Sequence, residues 1–122
     1  NKDVKVVFRD FPIFGGNSDL AARYAIAVAI SNPSKYYDFA TALFEIGADK
    51  ESKIKDALKK AGIRADVIER TLKSKKDDID QRLNENRELG NSLGLQGTPA
   101  FIIGEEFVPG YVDAATINSI LK

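Results

Sequence analysis

Apolar residues fall into two kinds of pattern along this chain. Near the start, Val4-Lys5-Val6-Val7-Phe8 is a short β-branched and aromatic run, which predicts a largely buried strand. Pro12 and Gly15-Gly16 end it in a loop, and Asn17-Ser18-Asp19 offers helix caps, Ser18 the best placed. Residues 20–30 are then apolar almost all round, which predicts a buried helix whose alanines allow close approach. Asn32-Pro33-Ser34 breaks it and starts a second helix at 35–44, rich in Tyr and Phe and expected in the core. A third helix at 50–61 carries Ile54, Ala57, Leu58 and Ala61 at spacings of three and four, with Gly62 at its end. A short fourth helix spans 65–72, and the charged run from Lys73 to Asp78 reads as a solvated turn.

The longest helix is expected at 77–93, with Ile79, Leu83, Asn86, Gly90 and Leu93 on one stripe. Asn86 reads as a buried amide bonded to backbone, with ligand contact as the alternative. Gly94 closes the helix. A strand follows Pro99, turns at Gly104-Glu105-Glu106 and returns through Phe107-Val108. Asp113 caps a final helix at 114–121. The order is strand, five helices, two hairpin strands, helix. Three strands make a thin sheet for so many helices, and the strand at 4–8 has no partner before it.

The chemistry available is narrow. The 122 residues include no Cys, His, Met or Trp. Disulfides, thiol nucleophiles, thiolate metal sites and imidazole bases are therefore excluded, and no cofactor or metal is expected. Eighteen basic residues balance 18 acidic ones, so no nucleic acid partner is implied. A composition 43% hydrophobic and 30% charged is that of one globular domain. The longest apolar run, 25–30, is far below the ~20 residues of a membrane span. No targeting segment is visible and there is no initiator Met, so a processed or incomplete chain is expected. Asp10, Asp38 and Glu45 have no spacing that would make a shared acid–base site. Tyr24, Tyr36 and Tyr37 read as core and rim aromatics. Gly15-Gly16 lacks the Lys and the spacing of a phosphate loop.

Several stretches, in order, resemble the DsbA family of thioredoxin-fold disulfide oxidoreductases, in particular its short bacterial outer-membrane-protein type. Residues 6–13 look like the family's third strand and its exit. Residues 17–28 look like the first helix of the helical insertion, and Tyr36-Tyr37-Asp38-Phe39 with Ala42-Leu43-Phe44 like the aromatic second helix. Residues 84–99 resemble the long helix leading into the cis-proline loop, and Phe107-Val108-Pro109-Gly110 with the last helix resemble the C-terminal end.

The resemblance implies an α/β thioredoxin-like fold with a large helical insertion. Residues 1–13 and 96–122 would supply the partial sheet and last helix of a single domain, and 17–94 the insertion. It implies a client-facing loop at Gly97, Thr98 and Pro99, with a cis Thr98–Pro99 bond and strand-like pairing to extended peptides. Read without the family, Pro99 is a trans residue starting a strand. The family's Cys-X-X-Cys has no counterpart here, so no catalytic residue carries over and the chain alone should be inactive. The implied partners are cysteine-containing secreted proteins or extended peptides. The implied location is the periplasm or cell envelope. Two other readings are a redox-dead, thioredoxin-like peptide- or partner-binding module and a homo-oligomer joined through the open sheet edge.

Overall fold

A computed structural model describes residues 4–12, 16–95 and 100–121. Six α-helices and one β-hairpin follow in the order α1 (Asn17–Ser31), α2 (Tyr36–Ile46), α3 (Glu51–Lys60), α4 (Ala65–Ser74), α5 (Lys76–Ser92), β1 (Ala100–Ile103), β2 (Glu106–Pro109) and α6 (Ala114–Leu121). A single 3-10 turn, Pro33–Lys35, joins α1 to α2. The chain divides into two compact units, Asn1–Arg87 and Glu88–Lys122, with α5 running through the boundary.

The first unit is built around α1. Ala22, Tyr24, Ala25, Ile26, Ala27 and Val28 are all buried, as a helix apolar on nearly every side requires. Its alanines let neighbours approach, and α2, α3 and α4 all pack on it. Phe39 and Ala42 from α2, Ile54, Ala57 and Leu58 from α3, and Ile68 from α4 complete the cluster with Ile79 and Leu83 from α5. Charge also ties α1 to α5. Arg23 Nη1 lies 2.5 Å from Asp80 Oδ1, and Arg87 Nη2 donates to Asp19 Oδ1 at 2.7 Å.

The end of α3 shows why Gly62 is needed. The chain turns back there with φ +75°, a region costly for a residue with a Cβ. The amide of Ile63 then donates to the Leu58 carbonyl (2.9 Å) and that of Gly62 to Lys59 (3.0 Å), satisfying carbonyls the helix leaves open.

Several local expectations are corrected, among them the charged run 73–78, which is helical apart from Lys75 and not a turn. Residues 4–12 run without a ladder partner among the described residues, so the strand expected at 4–8 does not form. A strand exists only through pairing, and Val6, Val7 and Phe8 are exposed instead. Ser18 does not cap α1; the helix begins at Asn17 behind Gly16, and no side chain caps it. The aromatics of α2 also divide between core and solvent. Phe39 is fully buried, whereas Tyr37 is 65% and Phe44 91% exposed. At 100° per residue, Tyr37 and Phe44 lie roughly opposite Phe39 on the helix, so composition could not place both in the core.

In the second unit, β1 and β2 form a two-stranded antiparallel hairpin, with Ala100 opposite Pro109 and Ile103 opposite Glu106. Ile103 is buried, while Ile102 and Phe107 are exposed. α6 packs on β1. Its cap is the expected one: Asp113 Oδ1 accepts from the Thr116 amide at 2.8 Å. The stripe read along α5 holds through Ile79, Leu83, Asn86 and Gly90, then fails at Leu93, which is exposed.

Candidate functional site

Gly97, Thr98 and Pro99, the loop expected to face a client, lie outside the described residues. The isomer of the Thr98–Pro99 bond lies outside them too. What the structure describes is a polar clasp in the first unit, at the residues leading away from the exposed Val6-Val7-Phe8 run.

The clasp rests on two adjacent residues gripping two different helices. Arg9 Nη1 donates to Asn86 Oδ1 on α5 at 3.2 Å. The hydroxyl of Tyr36, at the start of α2, donates to Asp10 Oδ2 at 3.0 Å. Phe8 leans on both tyrosines of α2, its ring centroid 5.8 Å from Tyr36 and 6.3 Å from Tyr37. An open cavity of about 330 Å³ lies here, walled by Val7, Phe8, Ile26 and Ala29 as well as by the clasp itself.

Electrostatics follow from burial. Loss of solvent pushes the Asp10 carboxyl above its ordinary range, and the bond from Tyr36 pulls partly the other way. Burial first, then the charge of Asp10 and the bond made to it, hold the Tyr36 phenol well above its ordinary value. Tyr24, in the core, is pushed up to about 12 by burial, by its 3.1 Å bond to Glu51 and by the charges of Glu51 and Glu69. Neither phenol is a base at neutral pH. Both act as hydrogen-bond donors that orient a carboxylate.

Asp10→Asn tests this balance. A carboxyl whose pKa is raised on folding adds stability below its unfolded value, near pH 4, and loses it as pH rises through the folded value. At pH 7 the ionised group therefore opposes folding. The amide removes the charge and still accepts from Tyr36. The variant should show a higher denaturation midpoint than the parent at pH 7, with the difference shrinking towards pH 3. A lower midpoint at pH 7 would mean that the charge-assisted bond from Tyr36 outweighs the desolvation.

The other sequence candidates do not converge. Asp10 binds Tyr36, Glu45 pairs with Lys60 and Asp38 is exposed, so they make no shared acid–base site. Asn86 is buried as expected, but its partner is the guanidinium of Arg9, not backbone. The clasp could not be read from the sequence, because 77 positions separate Arg9 from Asn86 and 26 separate Asp10 from Tyr36. Among the described residues no cluster of acidic side chains is placed to hold a metal ion. Among the same residues, no helix is long and apolar enough to cross a membrane.

The family profile of the DSBA-like thioredoxin domain matches residues 1–122. The chain belongs to this family. Its helices, hairpin and core are those of a DsbA-like fold, and its sequence holds no cysteine, so the paired cysteines of such proteins are absent from these 122 residues. Among solved structures, it is similar to the thiol-disulfide exchange protein alpha-DsbA2 from Wolbachia pipientis, with 36% identity and a TM-score of 0.87. That match covers 94% of this chain and 62% of the Wolbachia one. A thioredoxin-like oxidoreductase from Silicibacter pomeroyi matches with 28% identity and a TM-score of 0.82, over 94% of this chain and 65% of its own. A periplasmic thioredoxin-like protein from Salmonella enterica serovar Typhimurium matches with 28% identity and a TM-score of 0.76, over 93% and 62%. The chain thus spans less than two thirds of each of these proteins. No curated protein matches it.

Proposed function

We propose that these residues are the C-terminal portion of a DsbA-like thiol:disulfide oxidoreductase acting on cysteines of secreted or envelope proteins. The observation that carries this reading is a DSBA-like match over the whole chain together with a cysteine count of zero. The redox pair then belongs to a Cys-X-X-Cys elsewhere in the natural polypeptide. In the exchange, a client thiolate attacks one sulfur of the oxidised pair and expels the other, forming a mixed disulfide. The second client thiolate displaces the first enzyme sulfur. Two electrons and two protons pass from client to enzyme, which leaves as the dithiol.

The part assigned to this chain is to hold the client. Gly97, Thr98 and Pro99 form the loop against which an extended peptide pairs, main chain to main chain, giving affinity with little sequence preference. A periplasmic or envelope location fits this chemistry, since disulfides persist in oxidising compartments. The periplasmic Salmonella relative supports the same location.

Binding of an extended, cysteine-containing peptide to the chain tests the reading. Pro99→Ala should weaken binding several-fold without changing helical content. Unchanged affinity in that variant would remove the loop from the proposal. The missing cysteines also favour a second reading, a redox-dead module that binds peptides or a partner through the same loop. A natural polypeptide without a Cys-X-X-Cys would select it. Self-association through the open sheet edge is a third reading. Light scattering would report a dimer or larger species if this occurs, and a monomer if it does not.

A further inference from the structure

The clasp around Asn86 leaves hydrogen-bonding capacity that the other described residues do not use. Asn86 is only 9% exposed. Because Arg9 donates to it, the atom facing Arg9 must be the carbonyl oxygen, and this fixes the amide orientation. The other atom, Nδ2, has no acceptor among the described residues. Asn86 is itself one of the residues that line the cavity.

Two guanidinium groups border the same cavity. Arg9 spends Nη1 on Asn86. Arg82 spends Nε on Asp78 at 3.0 Å, which leaves its terminal nitrogens open. Arg82, Glu85 and Asn86 share one face of α5, at i, i+3 and i+4. Two carboxyl groups also face the cavity. Asp10 is engaged by Tyr36, and burial disfavours its charge. Glu85 accepts from Gln81 through Oε1 at 3.1 Å. The unspent groups are thus mostly donors, above walls contributed by Ile26, Ala29 and Phe8. A volume of about 330 Å³ sits at the small end of ligand pockets.

We propose that this cavity binds a small amphiphilic carboxylate, its apolar body on Ile26, Ala29 and Phe8 and its carboxylate among Asn86 Nδ2, Arg82 and Arg9. The site lies in the helical unit.

The test is an NMR titration of the chain with three probes of one length: hexanoate, hexylammonium and 1-hexanol. Hexanoate should give saturable shifts centred on Ile26, Ala29 and Tyr36. Hexylammonium should give none over the same range. Arg82→Gln removes one charge-assisted donor and should weaken hexanoate about tenfold. Its ion pair with Asp78 is a surface i,i+4 pair, so folding should be little affected. Glu85→Gln removes a repelling charge and should leave hexanoate binding equal or tighter. The proposal is overturned if hexylammonium binds as well as hexanoate, if Arg82→Gln binds as tightly as the parent, or if all three probes give only linear shifts.

Discussion

Phe39→Ala is expected to destabilise the helical unit by about 3–5 kcal/mol, the range for truncating a buried phenylalanine. Phe39 is fully buried, in the same cluster as Val28, Ile54 and Leu58. Removing the ring takes apolar surface from the core and leaves a cavity that rigid neighbours fill only in part. Domains of this size are stable by only ~5–15 kcal/mol, so about a fifth or more of the total is at stake. Phe44→Ala supplies the control. It deletes the same ring five residues along α2, at a position 91% exposed, and should stay within about 0.5 kcal/mol of the parent. Urea denaturation followed by circular dichroism separates the two. Equal losses at both positions would mean that the assignment of faces on α2 is wrong.

The second large effect is on chemistry. The chain should show no reduction of insulin disulfides and no oxidation of a dithiol peptide above the uncatalysed rate. Thiol–disulfide exchange needs a sulfur that is attacked and a second that leaves, and the sequence contains no sulfur of either kind, neither Cys nor Met. The remaining nucleophiles are hydroxyls, amines and carboxylates, and none forms a mixed disulfide. The two most shifted phenols, Tyr24 and Tyr36, are held protonated and committed to carboxylates. Turnover that saturates with peptide concentration would contradict this.

The helical elements were legible because each carries its own period and punctuation. The all-round apolar stretch of α1 required burial, and Gly62 and Gly94 marked helix ends where φ is positive. The hairpin was legible from Gly104 and two short apolar runs, and Asp113 from its position before α6. What failed depended on partners. Val4-Lys5-Val6-Val7-Phe8 has the composition of a strand, but a strand is stabilised by a neighbour, and none among the described residues is paired with it. The aromatics of α2 were read by content rather than by angle, which put Phe44 in the core instead of in solvent. The clasp joins residues far apart in sequence, so Asn86 could be read as buried but not as the acceptor for Arg9. The candidate client loop was visible only through family resemblance. Gly97, Thr98 and Pro99 carry no local pattern that separates a binding loop from an ordinary strand entry.

The exposure of Val6, Val7 and Phe8 bears on the proposed role as well. Three neighbouring apolar side chains in water form a surface that other polypeptide commonly covers. In the proposed enzyme the segment that carries the cysteines would cover Val6, which lies outside the cavity, and in the module reading a partner would do so. Both readings agree about the 122 residues and differ about the polypeptide that contains them.

Mass spectrometry of that natural polypeptide, reduced and treated with iodoacetamide, is the most direct measurement. The proposed oxidoreductase predicts a mass gain of two alkyl groups, both mapping to one Cys-X-X-Cys peptide outside the residues described here. A polypeptide that takes up no alkyl group would contradict it.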